Sequence, residues 1–246
     1  MSVPKLVAVV SGGTQGIGEG ICAHLLAAGA TVVNVDIAKP AVTPASSPSS
    51  DYHFVQCDLI DAAATRKAAA EIAGRFKVNV LVNNAGFPTP GRLEEVDDKA
   101  FDHGVNLHLR AAVIFMQAFL PSMKAQKFGR VVNMSSRSIH GKKARTVYSG
   151  TKAALVAFTR SWALEFGEFG ITVNALSPGP VLTELFKKNN PPEVAKKLVE
   201  NCIVGRGGTP DDVARAAMFF ISPDNSYVTG QLLHVCGGAS LGGAPW

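Results

Sequence analysis

The 246-residue sequence has few cysteines, few aromatic residues and no long apolar run. Its four cysteines form no Cys-x-x-Cys pair and have no histidine cluster beside them. This argues against a zinc site or a disulfide framework and favours a reducing compartment. The apolar run Leu6–Val10 is too short for a signal peptide or a membrane span, and no run of about 18 apolar residues occurs. We therefore expect a soluble, cytoplasmic protein without a membrane partner.

Charged residues make up only 17% of the sequence, and the formal net charge is +5. Lysine and arginine are scattered, with no basic run and no aromatic-interleaved stripe, so nucleic acid is not an expected partner. Hydrophobic residues reach 47%, which excludes a disordered chain and suffices for a large core. The length suits one α/β domain, and we expect residues 1–246 to form it.

Short apolar segments rich in Val, Ile and Leu alternate with longer helical patterns. Strands are predicted at Leu6–Val10, Thr31–Val35, His53–Cys57, Val80–Val82, Arg130–Met134, Ile171–Leu176 and Leu232–Val235. Helices are predicted near Gly18–Ala28, Ala62–Phe76, Phe101–Lys124, Val147–Phe169 and Asp211–Ile221. The alternation predicts a single-domain Rossmann fold, a doubly wound parallel sheet of about seven strands with helices on both faces.

One segment breaks this alternation. Ala38–Ser50 is rich in proline and serine and has neither a helical nor a strand period. We expect an exposed loop in place of a helix. A linker between two domains is the competing interpretation, which is less favoured because the strands on both sides belong to one predicted sheet.

A glycine-rich turn, Ser11–Gly18, separates the first strand from the first helix. Its glycines would let the backbone approach a pyrophosphate, and the free N–H groups at the start of the helix would hold it. A glycine cluster alone is a weak indication, but this position favours dinucleotide binding. Cofactor contacts are expected from Gly12, Thr14, Gln15, Gly16, Ile17 and Gly18.

Asp36 ends the second predicted strand, about 20 residues beyond the glycine turn, where a carboxylate can bind ribose hydroxyls. A carboxylate would also repel a 2′-phosphate, and the nearby Gln15 and Ile37 are neutral. The sequence therefore favours NAD(H) over NADP(H). The plainer interpretation of a lone aspartate here is a turn residue at the end of a strand.

Tyr148 and Lys152 stand four residues apart in a predicted helix, and so lie on one face. A free phenol has a pKa of about 10, too high for a general base at neutral pH. A neighbouring ammonium favours the phenolate, so we expect a lowered pKa at Tyr148. The phenol can then exchange a proton with an alcohol or ketone while hydride moves to or from a nicotinamide. By spacing alone, a core tyrosine beside a surface lysine is the more reasonable interpretation.

Taken together, these residues resemble the classical short-chain dehydrogenases/reductases, from Val7 to about Gly238. The family's motifs occur in order: the glycine turn with Ser11 where threonine is usual, Asn83-Asn84-Ala85-Gly86, Asn106, Ser136, Tyr148, Lys152 and Pro178-Gly179. The resemblance implies hydride transfer between NAD(H) and a small-molecule secondary alcohol or ketone. The alternatives are an NADP(H)-dependent reductase of the 3-oxoacyl type and a non-catalytic NAD-binding sensor.

The resemblance also implies roles for single residues. The catalytic group is Asn106, Ser136, Tyr148 and Lys152; Asn106 would open its helix locally and hold a water, and Lys152 would also bind the nicotinamide ribose. Further cofactor contacts are implied at Asp58, Leu59, Asn84, Ala85, Gly86, Pro178, Gly179, Val181 and Thr183.

The spacing before the tyrosine departs from the family. The stretch from Ser136 to Tyr148 is one residue shorter than usual, and counting back by the usual spacing reaches Ser135. We choose Ser136 because the register along the strand from Gly129 favours it, and a one-residue loop deletion costs little.

Two segments near the catalytic residues are expected to determine the substrate. Arg137–Val147 and Leu182–Val204 both carry several cations, which suggests an anionic substrate group; a solvated surface is the plainer interpretation. We expect Leu182–Val204 to be a lid of two short helices that break at Asn189-Asn190-Pro191-Pro192.

Family analogy implies a homotetramer, or a homodimer, with the helices Phe101–Lys124 and Val147–Phe169 at an interface. The apolar tail from Leu241 to Trp246 is expected to pack on a neighbouring subunit, although a frayed end is the plainer interpretation.

Overall fold

The computed structural model describes residues 4–41, 51–88 and 90–241. Seven parallel strands form one sheet in the order β3-β2-β1-β4-β5-β6-β7. The strands are β1 (Val7–Ser11), β2 (Thr31–Asp36), β3 (Tyr52–Gln56), β4 (Val80–Asn83), β5 (Gly129–Met134), β6 (Ile171–Pro178) and β7 (Leu232–Val235). The predicted Rossmann sheet is confirmed, and every predicted strand lies within one or two residues of its observed bounds.

The helices are α1 (Gly16–Ala27), α2 (Ala62–Arg75), α3 (Asp98–Val105), α4 (Ala111–Gln126), α5 (Thr146–Phe166), α6 (Glu184–Asn189), α7 (Pro192–Glu200) and α8 (Pro210–Ile221). The predicted helix near Phe101–Lys124 is confirmed: α3 and α4 follow each other without a gap, through a π-helical turn at Asn106–Arg110. The predicted break at Asn189–Pro192 is confirmed between α6 and α7.

Apolar side chains cover both faces of the sheet. Along β1, Val9 packs into a core with α2 and α4, whereas Ala8 and Val10 pack into a second core with α1 and α8. Successive side chains of a strand point to opposite faces, so a strand buried on both faces needs apolar residues at every position. This is why the strands read as continuous apolar runs rather than as alternating ones.

The carboxyl ends of the strands form one edge of the sheet. β1 lies between β2 and β4, so the strand order reverses at β1. In open parallel sheets, ligands bind at this reversal. The glycine turn follows β1, Asn84 follows β4, and Ser136 follows β5, which brings the sequence-predicted motifs to a common edge.

The predicted proline- and serine-rich loop lies between β2 and β3. Residues 37–41 of this connection contain no helix, and residues 42–50 lie outside the described residues. Within the parts of the chain that the structure describes, no helix is both long and apolar enough to cross a membrane.

Candidate active site

The glycine turn brings the backbone close to β4. Gly12 has a φ of +67°, and a Cβ on it would lie 2.9 Å from the Cα of Ala85. A Cβ on Gly18 would collide with the carbonyl oxygen of Gly12. The side chain of Gln15, at the start of α1, makes no capping hydrogen bond, which leaves the first-turn amides available to an anion. The turn therefore fits a dinucleotide pyrophosphate.

Ser11 ties the glycine turn to the segment after β4. Its hydroxyl accepts hydrogen bonds from the backbone N–H groups of Asn84 and Ala85, both at 3.0 Å. The Asn84 side chain donates in return to the carbonyl oxygens of Ser11 (3.0 Å) and Gly12 (2.9 Å). The described contacts of the Ser11 side chain involve only its hydroxyl. The threonine that is usual in the family at this position has the same group, so serine can replace it. Sequence reasoning gave this residue no role.

Asp36 reaches the glycine turn from the end of β2. Its Oδ2 accepts from the backbone N–H of Thr14 at 3.1 Å, and its Oδ1 accepts from that of Ala38 at 3.1 Å. The carboxylate is half-buried and keeps accepting capacity on both oxygens. The expected ribose contact and the simpler turn role are thus both compatible with its geometry.

The remaining sequence-predicted cofactor residues line the same edge. Leu59 is buried, whereas the exposed Asp58 turns its carboxylate back to the backbone N–H of Ile60 at 3.0 Å. Pro178 ends β6, and the Gly179 N–H donates to the carbonyl oxygen of Val235 at 3.0 Å.

The segment after β6 contacts the glycine turn directly. Thr183 caps α6 by accepting a hydrogen bond from the Phe186 N–H at 3.1 Å. Its methyl group lies 3.1 Å from the point that a Cβ on Gly16 would occupy. Val181, two residues earlier, is buried and pairs with Gly208 through an isolated bridge. The expected contacts at Val181 and Thr183 are therefore well placed around the cofactor cleft.

Tyr148 and Lys152 lie on the first two turns of α5, as their spacing predicts. The Lys152 Nζ is 5.8 Å from the centre of the Tyr148 ring and donates a 2.7 Å hydrogen bond to the carbonyl oxygen of Met134. Lys152 is only 3% exposed, and this burial lowers its pKa to about 7. The lysine is thus held at the end of β5 rather than in solvent.

The pKa of Tyr148 differs from the sequence-based expectation. Burial raises the pKa of its hydroxyl, while the nearby Ser136 side chain and the charge of Arg145 act to lower it. The raising effect is larger, so the expected lowering by a neighbouring ammonium is not seen in the chain by itself. Burial prevails because the phenolate loses hydration and the Lys152 ammonium turns to the Met134 carbonyl.

The two serines after β5 have different contacts. Ser135 is 2% exposed, and its hydroxyl donates to the carbonyl oxygen of Lys152 at 2.8 Å. The Ser136 hydroxyl accepts from the Ser138 N–H at 3.2 Å and is close enough to Tyr148 to act on its pKa. The geometry therefore favours Ser136 as the serine that faces the reacting oxygen.

Asn106 begins the π-helical turn, in which its carbonyl oxygen accepts from the Ala111 N–H, five residues on. This is the local opening that the family resemblance implies. The same turn directs His108 into the site, where it is 2% exposed. The sequence alone assigns His108 no chemical role. His108 stands four residues after the buried Gly104 and three before the buried Ala111, so the helical period places it on the inward face, but the sequence indicates no partner for its imidazole.

A glycine cradle at the strand reversal, with a serine, a tyrosine and a lysine at the same edge, defines a Rossmann-type nucleotide-dependent oxidoreductase. A family model described as enoyl-(acyl carrier protein) reductase matches residues 12–240. The chain is 32% identical to the (2S)-[(R)-hydroxy(phenyl)methyl]succinyl-CoA dehydrogenase subunit BbsD of Thauera aromatica over 98% of this chain and 99% of that protein.

Solved structures agree with this assignment. A candidate NAD(P)-dependent gluconate 5-dehydrogenase from Beutenbergia cavernae, with NADP bound at low occupancy, superimposes with a TM-score of 0.91 at 32% identity, over 98% of this chain and 99% of that one. A 3-ketoacyl-(acyl-carrier-protein) reductase from Brucella melitensis, complexed with NADH, gives 0.88 at 30% identity over 97% and 100%. The chain belongs to the classical short-chain dehydrogenase/reductase family, as its ordered motifs predicted.

Proposed function

We propose that the protein transfers hydride between NAD(H) and a secondary alcohol or ketone, with Tyr148 as the proton-transfer residue. One observation carries the proposal: Ser136, Tyr148 and Lys152 meet at the sheet edge that also holds the glycine cradle. The nicotinamide, when bound, supplies the hydride acceptor or donor.

The three side chains have distinct roles in this proposal. The Ser136 hydroxyl donates to the substrate oxygen and stabilises its developing charge. The Tyr148 hydroxyl gives its proton to that oxygen in reduction, which suits a phenol whose pKa is raised by burial. In oxidation the phenol must first lose its proton, which positive charge beside it favours; Arg145, whose charge already acts to lower the Tyr148 pKa, and the Lys152 ammonium are the groups of this chain placed to supply it.

The first test is a screen for NAD⁺ reduction over alcohols, diols, hydroxy acids and sugars. We expect Tyr148→Phe to lower kcat by about 10²–10⁴-fold, the usual contribution of general acid–base catalysis. Tyr227→Phe is the matched control, since Tyr227 is fully exposed and far along the chain from α5. Nucleotide binding without turnover of any substrate would contradict the proposal and favour a sensor.

We also propose that NAD(H) is preferred over NADP(H). The Asp36 carboxylate at the end of β2 supports this, because a 2′-phosphate there would meet a negative charge. Solved relatives carry either nucleotide, so the preference has to be measured on this chain. We expect a higher kcat/KM with NAD⁺ than with NADP⁺, and a smaller ratio in Asp36→Asn. Equal or better use of NADP⁺ by the wild type would contradict the preference.

A cluster of cations beside Tyr148 supports an anionic group on the substrate. Lys142 is exposed, and its pKa is lowered by loss of hydration and by the charges of Arg145 and Arg137 in the same segment. Arg145 is half-buried, and its charge also acts on Tyr148. Among the ion pairs of the described residues, none neutralises these three side chains. A carboxylate or phosphate on the substrate would do so.

Replacement of Arg145 by alanine tests this substrate class. We expect KM for anionic substrates to rise about tenfold or more, the effect of losing a hydrogen bond to a charged group, while KM for neutral alcohols stays constant. Arg137→Ala should act in the same direction, and Arg160→Ala, on the exposed side of α5, is the matched control. Equal changes for anionic and neutral substrates would discard the anionic class.

Two further expectations remain proposals. Members of this family generally act on small molecules and form oligomers. We propose a homotetramer or homodimer whose interface includes α4 and α5. A cytoplasmic location is supported by the sparse cysteines, all four of which are buried free thiols. Most of the apolar tail lies outside the described residues, which end at Leu241.

A further inference from the structure

We propose that His108 is a positioning residue, a neutral imidazole that joins the cofactor-side turn after β4 to the catalytic turn of α5. This inference rests on the proposed hydride transfer for its kinetic consequences, whereas its structural content stands separately. His108 is the buried residue of the π-helical turn, and its ring stands edge-on to Tyr148 with centres 5.7 Å apart.

Both ring nitrogens of His108 are engaged. The Nε2 accepts a 3.1 Å hydrogen bond from the backbone N–H of Phe87, which directly follows the Asn84-Ala85-Gly86 motif. Because Nε2 accepts, the ring proton belongs on Nδ1, which donates to the Thr151 hydroxyl at 2.8 Å. Thr151 donates onward to the carbonyl oxygen of Tyr148 at 3.1 Å. One relay of hydrogen bonds thus runs from the β4 turn to the backbone of the catalytic tyrosine.

The surroundings keep this imidazole neutral. Burial, with smaller contributions from the charges of Lys152 and His103, lowers the pKa of His108 to about 2. A Cβ on Gly86 would lie 3.1 Å from the Lys152 Nζ and 3.3 Å from the His108 Nε2, so both groups flank this glycine. A charged imidazole would compete with the Lys152 ammonium for the site, and it could not accept from Phe87. The pairing therefore requires the neutral, Nδ1-protonated ring.

Two substitutions separate the two ends of the relay. Glutamine reaches the position of Nε2, so His108→Gln keeps an acceptor for Phe87 and loses the donor to Thr151. Asparagine reaches only the position of Nδ1, so His108→Asn keeps the donor to Thr151 and loses the link to Phe87. Thr151→Val removes the catalytic-side link alone. Its matched control is Thr159→Val, because the Thr159 hydroxyl makes the same kind of bond, to the Leu155 carbonyl, two turns further along α5.

The kinetic test is a split between kcat and the KM for NAD⁺. We expect His108→Gln and Thr151→Val to lower kcat about three- to tenfold with KM for NAD⁺ unchanged, the size expected for one net hydrogen bond. We expect His108→Asn to raise KM for NAD⁺ by a similar factor, because the segment after β4 lines the cofactor cleft. Thr159→Val should lower Tm and leave both constants unchanged. A lower Tm in all four variants, without the separate effects on kcat and on the KM for NAD⁺, would overturn the proposal.

The protonation state of His108 can also be measured without enzymatic turnover. Nitrogen-15 NMR of the nucleotide-free wild type should show His108 as the neutral Nδ1–H tautomer from about pH 5 to pH 8, since its pKa lies far below that of a free histidine. An imidazole that protonates within this range, or that carries its proton on Nε2, would overturn the proposal. A wild type without NAD(H) turnover would instead sink the proposed function and leave the NMR result to decide about His108.

Discussion

Lys152 carries an ammonium into a site that removes almost all of its hydration. Burial lowers its pKa to about 7 in the folded chain, against about 10.4 for a free lysine. Folding therefore disfavours the charged form. The buried ammonium lowers the free energy of unfolding by its full amount below about pH 7. This destabilisation decreases between pH 7 and about 10.4 and is absent above that range. Lys152 therefore destabilises the folded chain, and its proposed role in the reaction explains why a lysine stands there.

Lys152→Met should raise Tm more at about pH 6 than at about pH 9, because the cost of the buried charge is larger at the lower pH. Each kcal/mol changes Tm by about 2–4 °C in a domain of this size, so a difference of several degrees is measurable by calorimetry. The Met134 carbonyl loses its donor at every pH, so the pH trend, rather than the absolute Tm, is the test. A Tm difference that is constant with pH would contradict the lowered pKa.

Substitution of the two serines after β5 should have different effects, one on kcat and the other on Tm. Ser136→Ala should lower kcat about 10²–10³-fold with little change in Tm, because it removes a donor to the reacting oxygen. Ser135→Ala should lower Tm by a few degrees, as it removes the bond to the Lys152 carbonyl, with kcat within a few-fold of wild type. Steady-state kinetics and calorimetry on both variants decide the matter, and the reverse pattern would identify Ser135 as the catalytic serine.

Single residues were predictable from sequence where one backbone position demands one residue type. Gly12 is an example, since its φ is positive and a side chain there would meet Ala85. The direction of the Tyr148 pKa was not predictable, because spacing shows which charges are near but not how much hydration is lost. His108 was missed for a different reason: its partners, Phe87 and Thr151, lie far from it in sequence.

The elements show the same division. Strand positions follow from apolar runs of limited length, and the break between α6 and α7 follows from two prolines. The π turn at Asn106–Arg110 has no local signal, since its five residues continue a good helical pattern. The opening of the helix at Asn106 was predicted only by the family resemblance.

Helices α6 and α7 have no buried residue, so little apolar contact holds them in place. If Leu182–Val204 closes over the cofactor, NAD⁺ should protect this segment from trypsin. Four lysines provide cleavage sites: Lys187, Lys188, Lys196 and Lys197. Mass spectrometry of timed digests measures the rate. Cleavage that saturating NAD⁺ does not slow would argue against the lid.

At the scale of the whole molecule, the doubly wound parallel sheet could be inferred from the alternation of strands and helices. Subunit contacts could not, since they depend on which exposed side chains of the folded chain form a shared surface. Leu164, on the proposed interface helix α5, is 88% exposed, which is unusual for leucine.

Leu164→Glu should lower the molar mass measured by light scattering, because a buried carboxylate at a subunit interface would be unpaired. Leu93→Glu is the control, since Leu93 is also exposed but lies on a short turn outside α4 and α5. A mass that neither substitution changes would place the subunit contact elsewhere or indicate a monomer.

The most direct test concerns the ionisation of one phenol. The chain has three tyrosines; burial raises the pKa of Tyr52, and Tyr227 is fully exposed. Near-ultraviolet phenolate absorbance should therefore be titrated with and without NAD⁺, in the wild type and in Tyr148→Phe. We expect NAD⁺ to shift one titration to lower pH in the wild type and none in the variant. A Tyr148 titration that NAD⁺ leaves unchanged would contradict proton transfer by this residue.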